Sequence, residues 1–201
     1  MTKQVEFYYD FGSPNSYLAN QVLPGVCAEH GAELVYRPCL LGGIFKATGN
    51  QAPWLTFANV QPRLDYDMME IDRFARKHGL HDYKLNPHFP LNTLMLMRMA
   101  CAVEMSGDLA GFIGVTEKAI WEQGLKMDEP DIAAKALTDA GLDGAALVEQ
   151  AQQPEVKERL IKNTEEAVNR KLFGLPTFFV GDEMFFGKDR LRDIEDEISI
   201  S

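Results

Sequence analysis

The sequence predicts an α/β protein whose two ends form a mixed frame, interrupted by a large all-α insertion. Three observations predict it. The residues up to Arg37 spell strand, helix, strand; from about Arg63 to Arg170 nearly every signal is helical; and the remainder returns to two strands and a helix.

Val5 to Tyr9 is a β-branched and aromatic run, which reads as a first strand. Asp10-Phe11-Gly12-Ser13-Pro14 joins turn residues to a helix start, with Ser13 suited to the N-cap and Pro14 to the first helical turn. Tyr17, Leu18, Val22 and Val26 carry this helix to about His30, where Gly31 ends it; Pro24 is expected to kink it. Ala32 to Arg37 reads as the second strand, with Pro38 just beyond. In the middle, Tyr66, Met69 and Phe74, then Leu94, Met97 and Cys101, then Phe112, Val115 and Ile120 recur at helical spacing. Asn92, Asp108 and Asp131 are expected caps, and Gly141, Gly144 and Pro154 punctuate the later helices. Met95, Met97, Met99 and Met105 crowd one helix and read as adaptable core filler. Thr177–Val180, the turn Gly181-Asp182 and Glu183–Phe186 form a hairpin, and Asp189 to Ile198 closes as an amphipathic helix. This order, β-α-β, helices, β-β-α, is that of a thioredoxin-like fold split by an α-domain. The expected boundaries are 1–40 and 171–201 for the thioredoxin-like domain and 41–170 for the helical insertion.

A hydrophobic share of 46% is enough for a real core, and a net charge of -10 argues against nucleic acid as a partner. No apolar run is long enough to suggest a membrane helix, and no charged leader precedes an apolar stretch, so a cytoplasmic location is expected. Cys27, Cys39 and Cys101 are widely spaced, without a C-x-x-C pair or a histidine at metal spacing. They read as unpaired thiols in or near the core, and no metal site is expected.

Three segments have the chemistry of a site. In the first, a strand feeds a helix at Ser13-Pro14-Asn15-Ser16, the place where thioredoxin-like redox proteins carry C-x-x-C, so no disulfide can form there. Ser13 acts there as a bare N-cap or as a site residue. In the second, Gly174-Leu175-Pro176-Thr177 precedes an apolar strand, where this fold keeps a cis-proline; the Leu175 backbone would then offer an edge to a peptide-like ligand. In the third, Gly187-Lys188-Asp189-Arg190 opens the last helix, and Asp189 either caps it or binds an ammonium. No Ser-His-Asp arrangement is apparent. His30, His78 and His81 fall at helix ends or turns, which leaves His88 as the histidine to consider for a pocket.

Together these segments resemble the glutathione-dependent 2-hydroxychromene-2-carboxylate isomerases, relatives of the kappa-class glutathione transferases and of the DsbA-like oxidoreductases. The resemblance runs over essentially the whole chain. It rests on Tyr9 to Asn20, Gly49-Asn50, Leu64-Asp65-Tyr66, Arg73-Phe74-Ala75, Phe173 to Thr177, and Gly181 to Met184 through Gly187 to Leu191. It implies that Ser13 contacts the glutathione sulfur, that Leu175 beside Pro176 pairs with the tripeptide backbone, that Asp189 and Arg190 hold the γ-glutamyl end, and that Asn50 lines the site. Arg63 stands where relatives commonly carry lysine, which keeps charge and changes geometry. The segment Asn86 to Asn92 is typical of the wider family.

The resemblance implies conversion of 2-hydroxychromene-2-carboxylate to trans-o-hydroxybenzylidenepyruvate by reversible thiolate addition, in aromatic (naphthalene-type) catabolism. The substrate is a small aromatic carboxylate, the cofactor glutathione, and the assembly a homodimer. Lys46, Arg37, Arg63 and Lys188 are candidates to neutralise the carboxylate, and Phe11, Trp54, Phe89 and Phe186 to wall the ring. Lowering a thiol pKa by two units requires about 2.7 kcal/mol. A hydroxyl bonded to the anion supplies roughly 1.5–3 kcal/mol and a helix start roughly 0.3–1. A kappa-type transferase forming stable conjugates and a glutathione-binding module without chemistry are the rival readings; a disulfide oxidoreductase is disfavoured by Ser13 and Ser16.

Overall fold

The structure, a computed structural model, describes residues 3–200. It opens with strand β1 (Gln4–Tyr9), helices α1 (Pro14–Asn20) and α2 (Leu23–Glu29) and strand β2 (Glu33–Pro38). Eight helices follow: α3 (Leu41–Thr48), α4 (Pro53–Thr56), α5 (Gln61–Lys77), α6 (Leu94–Ser106), α7 (Leu109–Trp121), α8 (Pro130–Asp139), α9 (Gly144–Gln150) and α10 (Pro154–Asn169). Strands β3 (Thr177–Val180) and β4 (Glu183–Phe186), a 3₁₀ turn at Lys188–Arg190 and helix α11 (Leu191–Ser199) complete the chain.

The four strands form one sheet in the order β2-β1-β3-β4. β1 runs parallel to β2 and antiparallel to β3, with Tyr8 facing Arg37 on one side and Thr177 on the other. Side chains alternate across a strand, so β1 serves two cores. Val5, Phe7 and Tyr9 enter the larger one, with α1, α2, α11 and much of the helical middle; Tyr8 enters a smaller one with Ile44, Ala167, Leu175 and Phe179. Burial on both faces explains why β1 ends in the unbroken aromatic run Phe7-Tyr8-Tyr9. Thioredoxin-like topology with a helical middle is therefore the observed fold.

Several local expectations need correction. The first helix is two helices: α1 stops at Asn20, and Pro24 occupies the first turn of α2, where a missing N–H is harmless. Gly31, at φ +63°, does end α2. Asp108 caps α7 by accepting from Gly111 N–H, and Asn92 accepts from Leu94 N–H at the start of α6 at 3.2 Å, although Thr93 holds the N-cap position; α8 begins after Glu129, two residues before Asp131, and neither Thr93 nor Glu129 makes a side-chain capping bond. Pro130 at the first turn fixes where α8 begins. Met97 and Met99 are fully buried, but Met105 is exposed, so the methionines fill the core only in part. The closing helix starts at Leu191 rather than Asp189, because the 3₁₀ turn precedes it.

Candidate active site

The C-terminal end of β1 delivers the loop Asp10–Ser13 to the N-terminus of α1. Ser13 adopts an extended backbone at the N-cap and accepts from Ser16 N–H at 3.2 Å. Its own proton goes to the Leu175 carbonyl, 3.3 Å away. The Leu175–Pro176 bond is cis, and the Leu175 N–H donates to no protein group among the described residues. Asn50 Nδ2 donates to the Phe173 carbonyl at 2.7 Å, and Gly187 N–H to the Pro176 carbonyl at 2.9 Å. Three hydrogen bonds to the one cis-proline loop therefore gather Ser13, Asn50 and the Gly187–Arg190 turn.

Within that turn Asp189 is mostly exposed, and its Oδ1 accepts from the buried Lys188 ammonium at 2.6 Å. It makes no capping bond. Lys188 also sits 5.2 Å over the Phe74 ring. The two residues border a cavity of about 400 Å³ between α2, α5 and α11, which carries both signs of charge. Arg190 pairs with Asp193. Arg63 is exposed, pairs with Asp67 and lies over Phe57, so no contact ties it to the cis-proline loop.

Of the other expected cations, Arg37 is held by Glu6 and Lys188 by Asp189, while Lys46 pairs with no carboxylate among the described residues. Trp54 and Phe89 meet edge-on at 4.8 Å, and Phe186 lies against Phe173 at 4.5 Å above Gly174. Phe11, in contrast, is buried against Tyr9 and Phe112 and cannot wall a site. His88 is exposed and lines neither cavity, whereas His78 is half-buried against Phe74 and borders the one beside Asp189. Burial pushes the His78 imidazole below its ordinary pKa.

The residue that sequence reasoning passed over is Asp10. It is buried; Oδ1 accepts from Gly12 N–H at 2.8 Å and Thr93 Oγ1 at 2.6 Å, and Oδ2 from Leu41 N–H at 2.8 Å. One carboxyl thus shapes the Ser13 loop, starts α3 and ties both to α6. Burial raises its pKa, and the three donors pull the other way. The only available signal was local: a short polar residue two before a glycine commonly folds back on the backbone. Glu117 was missed as well. It is buried on α7 and accepts from Asn20 Nδ2 at 2.7 Å and Gln21 Nε2 at 3.3 Å, fastening the end of α1 to the helical region. Burial drives its carboxyl well above the usual range.

The three cysteines are free and buried. Burial pushes Cys27 up to about 11 and Cys101 to about 12, and holds Cys39 well above the ordinary thiol value, so each is a neutral thiol. None can serve as a redox centre at the mouth of α1, where Ser13 stands.

A thioredoxin-type sheet, a helical insertion and a cis-proline loop facing the first helix define the DsbA-like class. The family model described as DSBA-like thioredoxin domain matches residues 4–199. The 2-hydroxychromene-2-carboxylate isomerase of Pseudomonas putida is 33% identical over 194 residues, spanning 95% of this chain and 92% of that protein. The solved structure of a 2-hydroxychromene-2-carboxylate isomerase superposes with a TM-score of 0.83 at 30% identity, covering 97% of this chain and 94% of that one. Human glutathione S-transferase kappa 1 is 28% identical over 215 residues, spanning 96% of this chain and 89% of that protein. The chain belongs to the DSBA-like thioredoxin-domain family and, within it, to the 2-hydroxychromene-2-carboxylate isomerases.

Proposed function

We propose that this protein is a glutathione-dependent isomerase that converts 2-hydroxychromene-2-carboxylate to trans-o-hydroxybenzylidenepyruvate. The observation that carries the reading is the Ser13 hydroxyl at the N-cap of α1, in hydrogen-bond reach of the residue before a cis-proline. The open Leu175 N–H is the test of fit: a buried backbone donor without a partner is matched by a peptide-like ligand adding along that edge. Glutathione, when bound, supplies a thiolate that adds reversibly to a conjugated double bond, lets it rotate and leaves unchanged. Leu175 would hold its backbone, Asp189 and Arg190 its γ-glutamyl end, and Asn50 the wall nearest Phe173. Arg63 stays in the assignment through the resemblance alone.

Ser13 has a single proton, spent on Leu175 in the free protein. Turning that proton toward a sulfur frees the Leu175 carbonyl, which an incoming amide N–H then satisfies, so ligand binding and sulfur stabilisation happen together. The α1 dipole adds little. A helix of two turns stands at the low end of the roughly 0.3–1 kcal/mol range for such termini. The hydroxyl therefore supplies most of the stabilisation. Residues 41–170, which hold α3–α10, would act as an insertion whose α4–α6 side closes over the site. A homodimer is the proposed assembly: Trp54, Leu55, Val60, Tyr66 and Met69 leave an apolar face exposed on α4 and α5. Among the described residues no helix is long and apolar enough to cross a membrane.

The test is turnover of 2-hydroxychromene-2-carboxylate with and without glutathione, beside an electrophilic aryl halide. Isomerisation that requires glutathione without consuming it supports the reading. Conjugation of the halide with no isomerisation refutes it in favour of a kappa-type transferase.

A further inference from the structure

Another cavity lies away from the cis-proline loop. Its volume is about 640 Å³, within the range of small-molecule sites, and it is a partly open groove between α3, α6 and α10. Apolar groups make its walls, among them Leu40, Leu94, Leu160 and Val168, with Gly43 and Ala47 keeping the α3 side open. Gly43 is needed there, because a Cβ would sit 2.8 Å from Thr164 Cγ2.

Into this apolar space come three cations, Lys46, Arg98 and Lys157, against one carboxylate, Glu165. Among the described residues none of the three side chains forms an ion pair or donates a hydrogen bond to the protein. Arg98 and Lys157 are half-buried, so their stems line the hollow rather than trailing in solvent. Of the other arginines, Arg37, Arg63, Arg73, Arg159, Arg170 and Arg190 each have a carboxylate, and the two without one among the described residues, Arg76 and Arg192, are exposed rather than half-buried. A local positive excess inside a chain of net charge -10 is opposed to the field of the whole protein. Half-buried guanidinium donors are matched best by a planar carboxylate, which can take two of them at once.

We infer that the α3–α6–α10 cavity is a second binding site, separate from the Ser13 site, for a small organic carboxylate with an apolar ring or chain. The separation follows from α3 itself. Gly43 and Ala47 face the cavity, while Ile44 turns away to pack with Tyr8, Leu175 and Phe179. That cluster stands between the cavity and the cis-proline loop. The site is nevertheless close to the catalytic loop in connectivity. Leu40 and Leu94 line it, and their chain neighbours Leu41 and Thr93 hold the two oxygens of Asp10.

The probe is 2-naphthoate, titrated by calorimetry into the whole protein without glutathione, beside its neutral counterpart 2-naphthalenemethanol. The naphthoate should bind at one site. Arg98→Gln should weaken it about tenfold, which corresponds to about 1.4 kcal/mol, and Lys157→Gln should weaken it severalfold. Both changes should leave binding of the alcohol unmoved, and thermal melting confirms that each variant is folded. Ala47→Phe, which fills the hollow, should abolish binding; methyl chemical shifts of Ala47 and Leu94 in the unaltered protein report the same location independently. Glutathione should not displace the naphthoate. Absence of binding, equal affinity in both charge variants, or displacement by glutathione would overturn the proposal. The measurement is independent of whether the Ser13 site isomerises anything.

Discussion

Replacing Ser13 by alanine separates two jobs of one hydroxyl. In the free protein the change removes an N-cap bond of 3.2 Å and a bond of 3.3 Å to Leu175. Both are long, so the loss belongs in the lower half of the capping range, about 0.5–1 kcal/mol. For a chain of this size the melting temperature should fall by about 1–4 °C. With ligand bound, the alanine removes a hydroxyl donor to an anion, about 1.5–3 kcal/mol. If the Leu175 carbonyl regains a partner from the ligand, nearly all of that is lost; if it does not, about 1 kcal/mol is offset. The net loss of about 0.5–3 kcal/mol raises the pKa of the bound thiol by about half a unit to two units. The assay is the ultraviolet absorbance of the thiolate against pH, in parallel with turnover. Turnover near neutral pH should drop severalfold or more, approach that of the unaltered protein at alkaline pH, and return with Ser13→Thr, while glutathione affinity changes little. Equal thiol titrations in the two proteins would refute the argument, whatever happens to the rate.

Other consequences follow from the same geometry. Asp10→Asn turns an amide donor toward Gly12, Thr93 or Leu41, all of which are donors already; it should destabilise the protein by about 1–3 kcal/mol, read by urea unfolding. The buried Glu117 carboxyl holds its proton to higher pH in the folded chain than in the unfolded one. The stability it contributes is full below the unfolded value near pH 4.3 and is lost as pH rises through its raised folded value. Glu117→Gln should therefore flatten the pH dependence of unfolding, with the variant relatively more stable at alkaline pH; parallel curves would contradict this. A Cβ on Gly144 would lie 2.1 Å from the Ala134 carbonyl oxygen, and that backbone cannot yield, so Gly144→Ala should lower the melting temperature by roughly 6–12 °C.

What the sequence determined by itself was whatever is written in neighbouring residues. Strand β1, the Ser13 N-cap, Gly31 at the end of α2 and the hairpin turn at Gly181-Asp182 depend on residues within a few positions of one another. Burial of the cysteines needed only their polarity. The Arg63–Asp67 pair was equally readable, being four residues apart on one helix, and was overlooked. Tertiary structure decided the rest, because those partners are far apart in the chain. Thr93 reaches Asp10 across 83 positions, Glu117 reaches Asn20 across 97, and Ser13 reaches Leu175 across 162. No local propensity encodes such pairings. They exist because a buried polar group must find a partner, and only the closed sheet and its helices determine which groups are buried together.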